Sequence, residues 1–122
     1  MNLRVLAASL LFITIVAAAI STNFSGFIDA ISATFVLVGA LCFGICANGE
    51  WKSDARLNAF SEGAVLSGWI GALLGAVLTG ININMQDLDA LGPAIALMLL
   101  PLLYGYIVKV LIRLVLVSRL RE

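Results

Sequence analysis

The groups able to do chemistry inside this chain are few and mostly uncharged. Along its apolar stretches stand the hydroxyls of Ser9, Thr14, Ser32, Thr34, Ser67, Thr79, Tyr104 and Tyr106 and the thiols of Cys42 and Cys46. No Asp, Glu, Lys, Arg or amide lies near the middle of any stretch, and the sequence contains no histidine. Histidine zinc sites, histidine general bases and histidine-assisted nucleophiles are thereby excluded. Without clustered acids or a reactive cysteine no enzyme is expected, and no metal or cofactor either. Cys42 and Cys46, four apart, read as small polarisable packing residues rather than a redox or metal pair. One backbone group joins the list. Pro101 has no N–H to give to the Leu97 carbonyl, so that carbonyl is freed within the helix and a kink is expected there.

The elements that hold these groups follow from composition. A chain of 122 residues, 62% hydrophobic and 11% charged, has too little polar material to cover a soluble globule and belongs in a lipid bilayer. No nucleic-acid partner is expected. Segments 3–20, 27–47, 59–81 and 91–117 reach or approach the roughly 20 apolar residues that cross hydrocarbon as a helix. The expected fold class is all-α integral membrane, one four-helix domain over residues 1–122. Arg4, the apolar run after it and Ala17-Ala18-Ala19 imitate a cleavable leader, but the run is long enough to span and is expected to be retained. Arg4, Lys52, Arg56, Lys109, Arg113, Arg119 and Arg121 all fall on one side of a four-span arrangement, whereas Asp29, Asp87 and Asp89 fall on the other. Cations favour the cytoplasmic side, so both termini and the link between spans two and three are expected there.

Local signals refine each span. Asp29 and Ser32 stand at the entrance of the second helix, where they can cap free N–H groups and complement the helix dipole. Residues 48–58 read as a short loop carrying Glu50, Trp51, Lys52, Asp54 and Arg56, with Trp51 anchoring the interface. The third helix carries two ladders of small residues at four-residue spacing: Ser67, Gly71, Gly75 and Thr79, and beside them Ala64, Gly68, Ala72, Ala76 and Gly80. Small residues let helix backbones approach in lipid, so this face is expected to be buried against other helices, including those of other subunits. Asp89 is expected to cap the fourth helix, with Pro93 in its first turn. Lys109 and Arg113, four apart, form a basic stripe that reads as side chains snorkelling to anionic headgroups, or more sharply as a collar around a pore.

Two ordered blocks resemble the MotA/TolQ/ExbB family of proton-driven motor subunits. The first is Phe27-Ile28-Asp29-Ala30-Ile31-Ser32 followed by Val36-Leu37-Val38-Gly39. The second runs through Gly68, Gly71, Leu73, Leu74 and Gly75, then Asp89, Leu91-Gly92-Pro93-Ala94, Ala96 and Leu103-Tyr104-Gly105. The resemblance implies an inner-membrane subunit of a homopentamer enclosing a single-span MotB/ExbD/TolR-like partner, which supplies the membrane carboxylate. It also implies that the last two helices face the centre. Ser67, Gly71, Ala72, Gly75, Thr79, Pro101 and Tyr104 are then the pore-facing or partner-facing candidates, and Gly68, Gly92, Pro93 and Gly105 the packing frame. Asp87 and Asp89, repeated around a ring, would make a negative outer mouth that gathers cations. The chain departs from the family where Ala72, Pro101 and Leu102 replace threonines, where Val65 and a residue near Val115 replace prolines, and in lacking the large cytoplasmic domain. The expected function is proton or cation transport, with a non-conducting scaffold of the same architecture as the alternative. A small four-helix exporter is a minor one, because exporters of that size depend on a glutamate in the first span and none is present.

Overall fold

The computed structural model describes residues 3–21, 29–82 and 88–120. The chain is all-helical over these residues, with four α-helices: α1 (Leu3–Ser21), α2 (Ala30–Cys46), α3 (Asp54–Asn82) and α4 (Leu91–Arg119), the last preceded by a 3-10 turn at Leu88–Ala90. α3 and α4, each of 29 residues, are long and apolar enough to cross a membrane, with mean hydropathies of 1.9 and 2.2 over their most apolar windows. At 1.5 Å per residue each extends about 43 Å, more than the roughly 30 Å of a hydrocarbon core.

Two boundaries differ from the sequence expectation. α3 begins at Asp54 rather than near residue 59, because Ser53 caps it: the Ser53 hydroxyl accepts the Arg56 N–H at 3.3 Å and the Ser53 carbonyl accepts the Leu57 N–H at 3.0 Å. The link from α2 is therefore short, turning at Gly49, whose φ of 112° favours glycine. Asp89 does not cap α4. It lies exposed in the 3-10 turn, and the N-cap position is Ala90, which has no side-chain cap bond. The cap expected at Asp29 is present: its carboxylate accepts the N–H groups of Ile31 and Ser32.

α3 is the central element, packed between α2 and α4, while α1 leans on α4. α3 and α4 run antiparallel, in a register that sets Asp54 beside Arg119, Glu62 beside Lys109, Gly68 beside Pro101 and Gly75 beside Met98. The buried core is small: Val36, Ala40 and Ala64, with Phe60, Tyr104 and Val108 packed against them. Large apolar side chains face outward instead, among them Leu73, Val77, Leu78 and Ile45. Small residues inside and large ones outside is the distribution expected where lipid, not water, is the surrounding solvent.

Glycine sets how closely these helices approach. A Cβ on Gly68 would lie 2.7 Å from the Pro101 carbonyl oxygen, and one on Gly105 would lie 2.6 Å from that of Ala64. α3 and α4 thus touch backbone to backbone at two points. The α2–α3 seam is as close, with a Cβ on Gly63 falling 2.8 Å from the Gly39 carbonyl oxygen.

Candidate functional site

At the end of the hairpin away from the cations, a crevice of about 400 Å³ lies among α2, α3 and α4. Gly71, Gly75 and Thr79 line it from one ladder of α3, Leu97, Met98 and Pro101 from α4, and Asp29 and Ser32 from the start of α2. The reason is local: α3 presents no side chain at Gly71 and Gly75, so the Pro101 ring and the Met98 side chain settle against bare backbone. α4 passes through Pro101 without a break.

Polar groups gather at this mouth. The Asp29 carboxylate accepts the Ile31 N–H at 3.2 Å, the Ser32 N–H at 3.3 Å and a short hydrogen bond from the Ser32 hydroxyl. The Asp29 N–H donates to the Tyr104 hydroxyl at 3.1 Å, which ties the start of α2 to the middle of α4. Thr79 also lines this crevice, whose walls are otherwise mostly apolar. Such a set can attract and partly desolvate a cation. Among the described residues no three His, Cys, Asp or Glu side chains come together as a metal site would require.

Beyond the crevice the protomer closes. Ala72, Leu100 and Pro101 are buried, and the Gly68–Pro101 backbone contact leaves no gap between α3 and α4. The next charged groups are Glu62 and Lys109, paired at 3.0 Å. They lie about 14 Å farther along α3 than Gly71. Asp54 and Arg119 pair at 2.7 Å at the basic end. Nearby, the Arg56 guanidinium stacks on Trp51, 4.6 Å from the ring centre, and donates to the Ala47 carbonyl at 2.8 Å, so Trp51 serves as a platform for Arg56.

The sequence candidates thus separate into groups. Asp29, Ser32, Gly71, Gly75, Thr79 and Pro101 meet at one crevice, with Tyr104 bonded to Asp29 at its side. Ser67 is buried against Gly39 on α2 rather than in that crevice, and Gly68 and Gly105 lie in the α3–α4 contact. Gly92 and Pro93 are exposed, and a Cβ on Gly92 would meet nothing within 4 Å, so they form no packing frame within the protomer. The ladder of Ala64, Gly68 and Ala72 is buried, but its continuation at Ala76 and Gly80 is exposed. Asp87 lies outside the described residues and Asp89 is exposed at the far end. Lys109 does not form a free basic stripe with Arg113: it is neutralised by Glu62, while Arg113 is exposed.

Glu62 is the group that sequence reasoning missed. It falls inside the span expected over 59–81, near its inner end, and the signal that could have found it is the hairpin register. With Gly68 opposite Pro101, Glu62 must fall near Lys109. No family model, curated protein or solved structure matches the chain.

Proposed function

We propose that the chain is a four-span subunit of a MotA/TolQ/ExbB-like inner-membrane assembly, forming an oligomeric ring around a single-span partner and supporting proton or cation transport. In this reading both termini and the α2–α3 link face the cytoplasm, because Lys52, Arg56, Lys109, Arg113 and Arg119 gather at one end of the hairpin. The observation that carries it is the crevice at the opposite end. There Asp29, Ser32 and Thr79 line a cavity together with Gly71, Gly75 and Pro101, the positions that correspond to the family's channel face. The large apolar area left outside a small-residue core suits lipid on one side and neighbouring subunits on the other.

A second reading, a ring or platform that does not conduct, is favoured by the apolar stretch between the crevice and the Glu62–Lys109 pair. Ala72 and Pro101 are buried there and offer no hydroxyl to an ion. A conducting assembly would have to complete its path with polar groups of the partner. Proton flux into liposomes holding the chain with its co-purified single-span partner separates the two: flux that falls with Asp29→Asn supports conduction, and no flux with partner present leaves only the scaffold.

A further inference from the structure

The helix register fixes how deep Asp29 lies. Gly39 of α2 stands opposite Gly63 and Ser67 of α3, so Asp29, about 15 Å farther along α2, falls near the height of Gly75 and Met98. From this height α3 continues to Asn82 and α4 begins at Leu91, each reaching about 10 Å beyond Asp29. The outer end of α1 stops short as well, since Ala19 and Ile20 share a cavity with α4 from Leu103 inward.

Measured along α3, Asp29 is only about 20 Å from the Glu62–Lys109 pair, and a hydrocarbon core of roughly 30 Å does not fit between them. One of the two lies inside it. The flanking side chains decide which: outward of Asp29 come Val77, Leu78 and Ile81, all more than half exposed, whereas inward of the pair come Asp54, Arg56, Arg113 and Arg119. Apolar tips need lipid around them, which sets the pair at the inner boundary and Asp29 about 10 Å beneath the outer one.

We infer that Asp29 is a membrane-embedded carboxylate that binds a monovalent cation arriving from the outer side through the crevice. The inference rests on the cation-transport reading above and adds that the chain contributes an acid of its own to the pathway. The groups bonded to the Asp29 carboxylate, the N–H groups of Ile31 and Ser32 and the Ser32 hydroxyl, are all neutral. No Lys or Arg lines the crevice, and the two ion pairs among the described residues use other acids. A carboxylate without a countercharge is costly in hydrocarbon, so a cation and the water that brings it supply what the protein does not. The crevice has room for both: its volume of about 400 Å³ is many times the roughly 30 Å³ of one water.

The test uses the full chain in liposomes. A spin label at Val77, with Cys42→Ala and Cys46→Ala as background, should collide with oxygen several-fold more than with a water-soluble nickel chelate, as a label in hydrocarbon does. In the unsubstituted chain a hydrophobic carbodiimide should add to the Asp29 carboxyl as an N-acylurea, located by mass spectrometry, and spare Glu50, Asp54 and Asp89. Several-fold protection by sodium identifies the bound cation as an alkali ion, and reaction indifferent to sodium identifies it as the proton. A Val77 label that meets the nickel chelate freely, or an unmodified Asp29, overturns the inference, and flux that persists then leaves the transport reading standing. Modified Asp29 without flux in the presence of the partner keeps the site and removes transport.

Discussion

Gly68 of α3 rests on the backbone of Pro101 in α4, so close that a Cβ there would lie 2.7 Å from the Pro101 carbonyl oxygen. Gly105 returns the contact one turn away, against the Ala64 carbonyl. Neither carbonyl can move like the end of a flexible side chain, so any side chain must push the helices apart. Gly68→Ala and Gly105→Ala should each destabilise the fold by about 1–3 kcal/mol, the usual cost of overpacking. Gly80→Ala and Gly92→Ala, where a Cβ meets nothing within 4 Å, should be neutral or gain up to about 1 kcal/mol from reduced backbone freedom. Thermal unfolding in detergent measures all four.

Asp29 closes the end of α2 and is bound to Tyr104 through its backbone N–H. Asp29→Ala should cost about 1 kcal/mol as a lost N-cap, while Asp29→Asn should leave stability nearly unchanged because asparagine caps equally well. Asp29→Asn therefore isolates charge from structure. In the flux assay it should lower cation entry while the melting temperature holds, and an unchanged flux would remove Asp29 from the pathway.

The Glu62–Lys109 pair has side chains 47% and 35% exposed, so solvent screens it. Its contribution should be at most about 1 kcal/mol and should shrink as salt is raised. Lys109→Glu places two acids together and should destabilise more than Lys109→Ala. The double exchange Glu62→Lys with Lys109→Glu should recover most of the loss. A failure of recovery in a double-mutant cycle would mean that the two residues do not meet.

Leu73 is 62% exposed on the face of α3 that the membrane reading turns toward lipid. Leu73→Arg should raise the insertion free energy of this helix by about 2.5–3.5 kcal/mol, as a cation does near the centre of a span. The same change at Trp51, in the link at the basic end, should leave insertion intact. Equal effects at the two positions would contradict a spanning α3.

Much of this architecture is legible without coordinates, and the misses share a cause. Long apolar runs, the Asp29 cap and the small face of α3 are properties of consecutive residues, so local pattern reports them. α3 starts earlier than hydropathy indicates, because Asp54, Arg56 and Asn58 interrupt the apolar pattern of its first turns while Ser53 caps it. Asp89 had the sequence of a cap but lies in a 3-10 turn that places Ala90 at the cap position. Glu62 is illegible in local pattern because its partner, Lys109, follows 47 residues later.

By itself the sequence determined that the chain is helical, that two of its helices can cross a membrane, and that α3 carries a face of small residues. Those outcomes depend on hydropathy, length and side-chain size, which are additive along the chain. Only the tertiary structure decided how that face is divided. Ser67 and Gly63 go to α2, Gly68 lies against α4, Gly71 and Gly75 open into the crevice, and Gly80 meets nothing within 4 Å. Small residues license close approach to any partner, and the partner is fixed by the relative rotation and register of three helices. No residue's own chemistry encodes these.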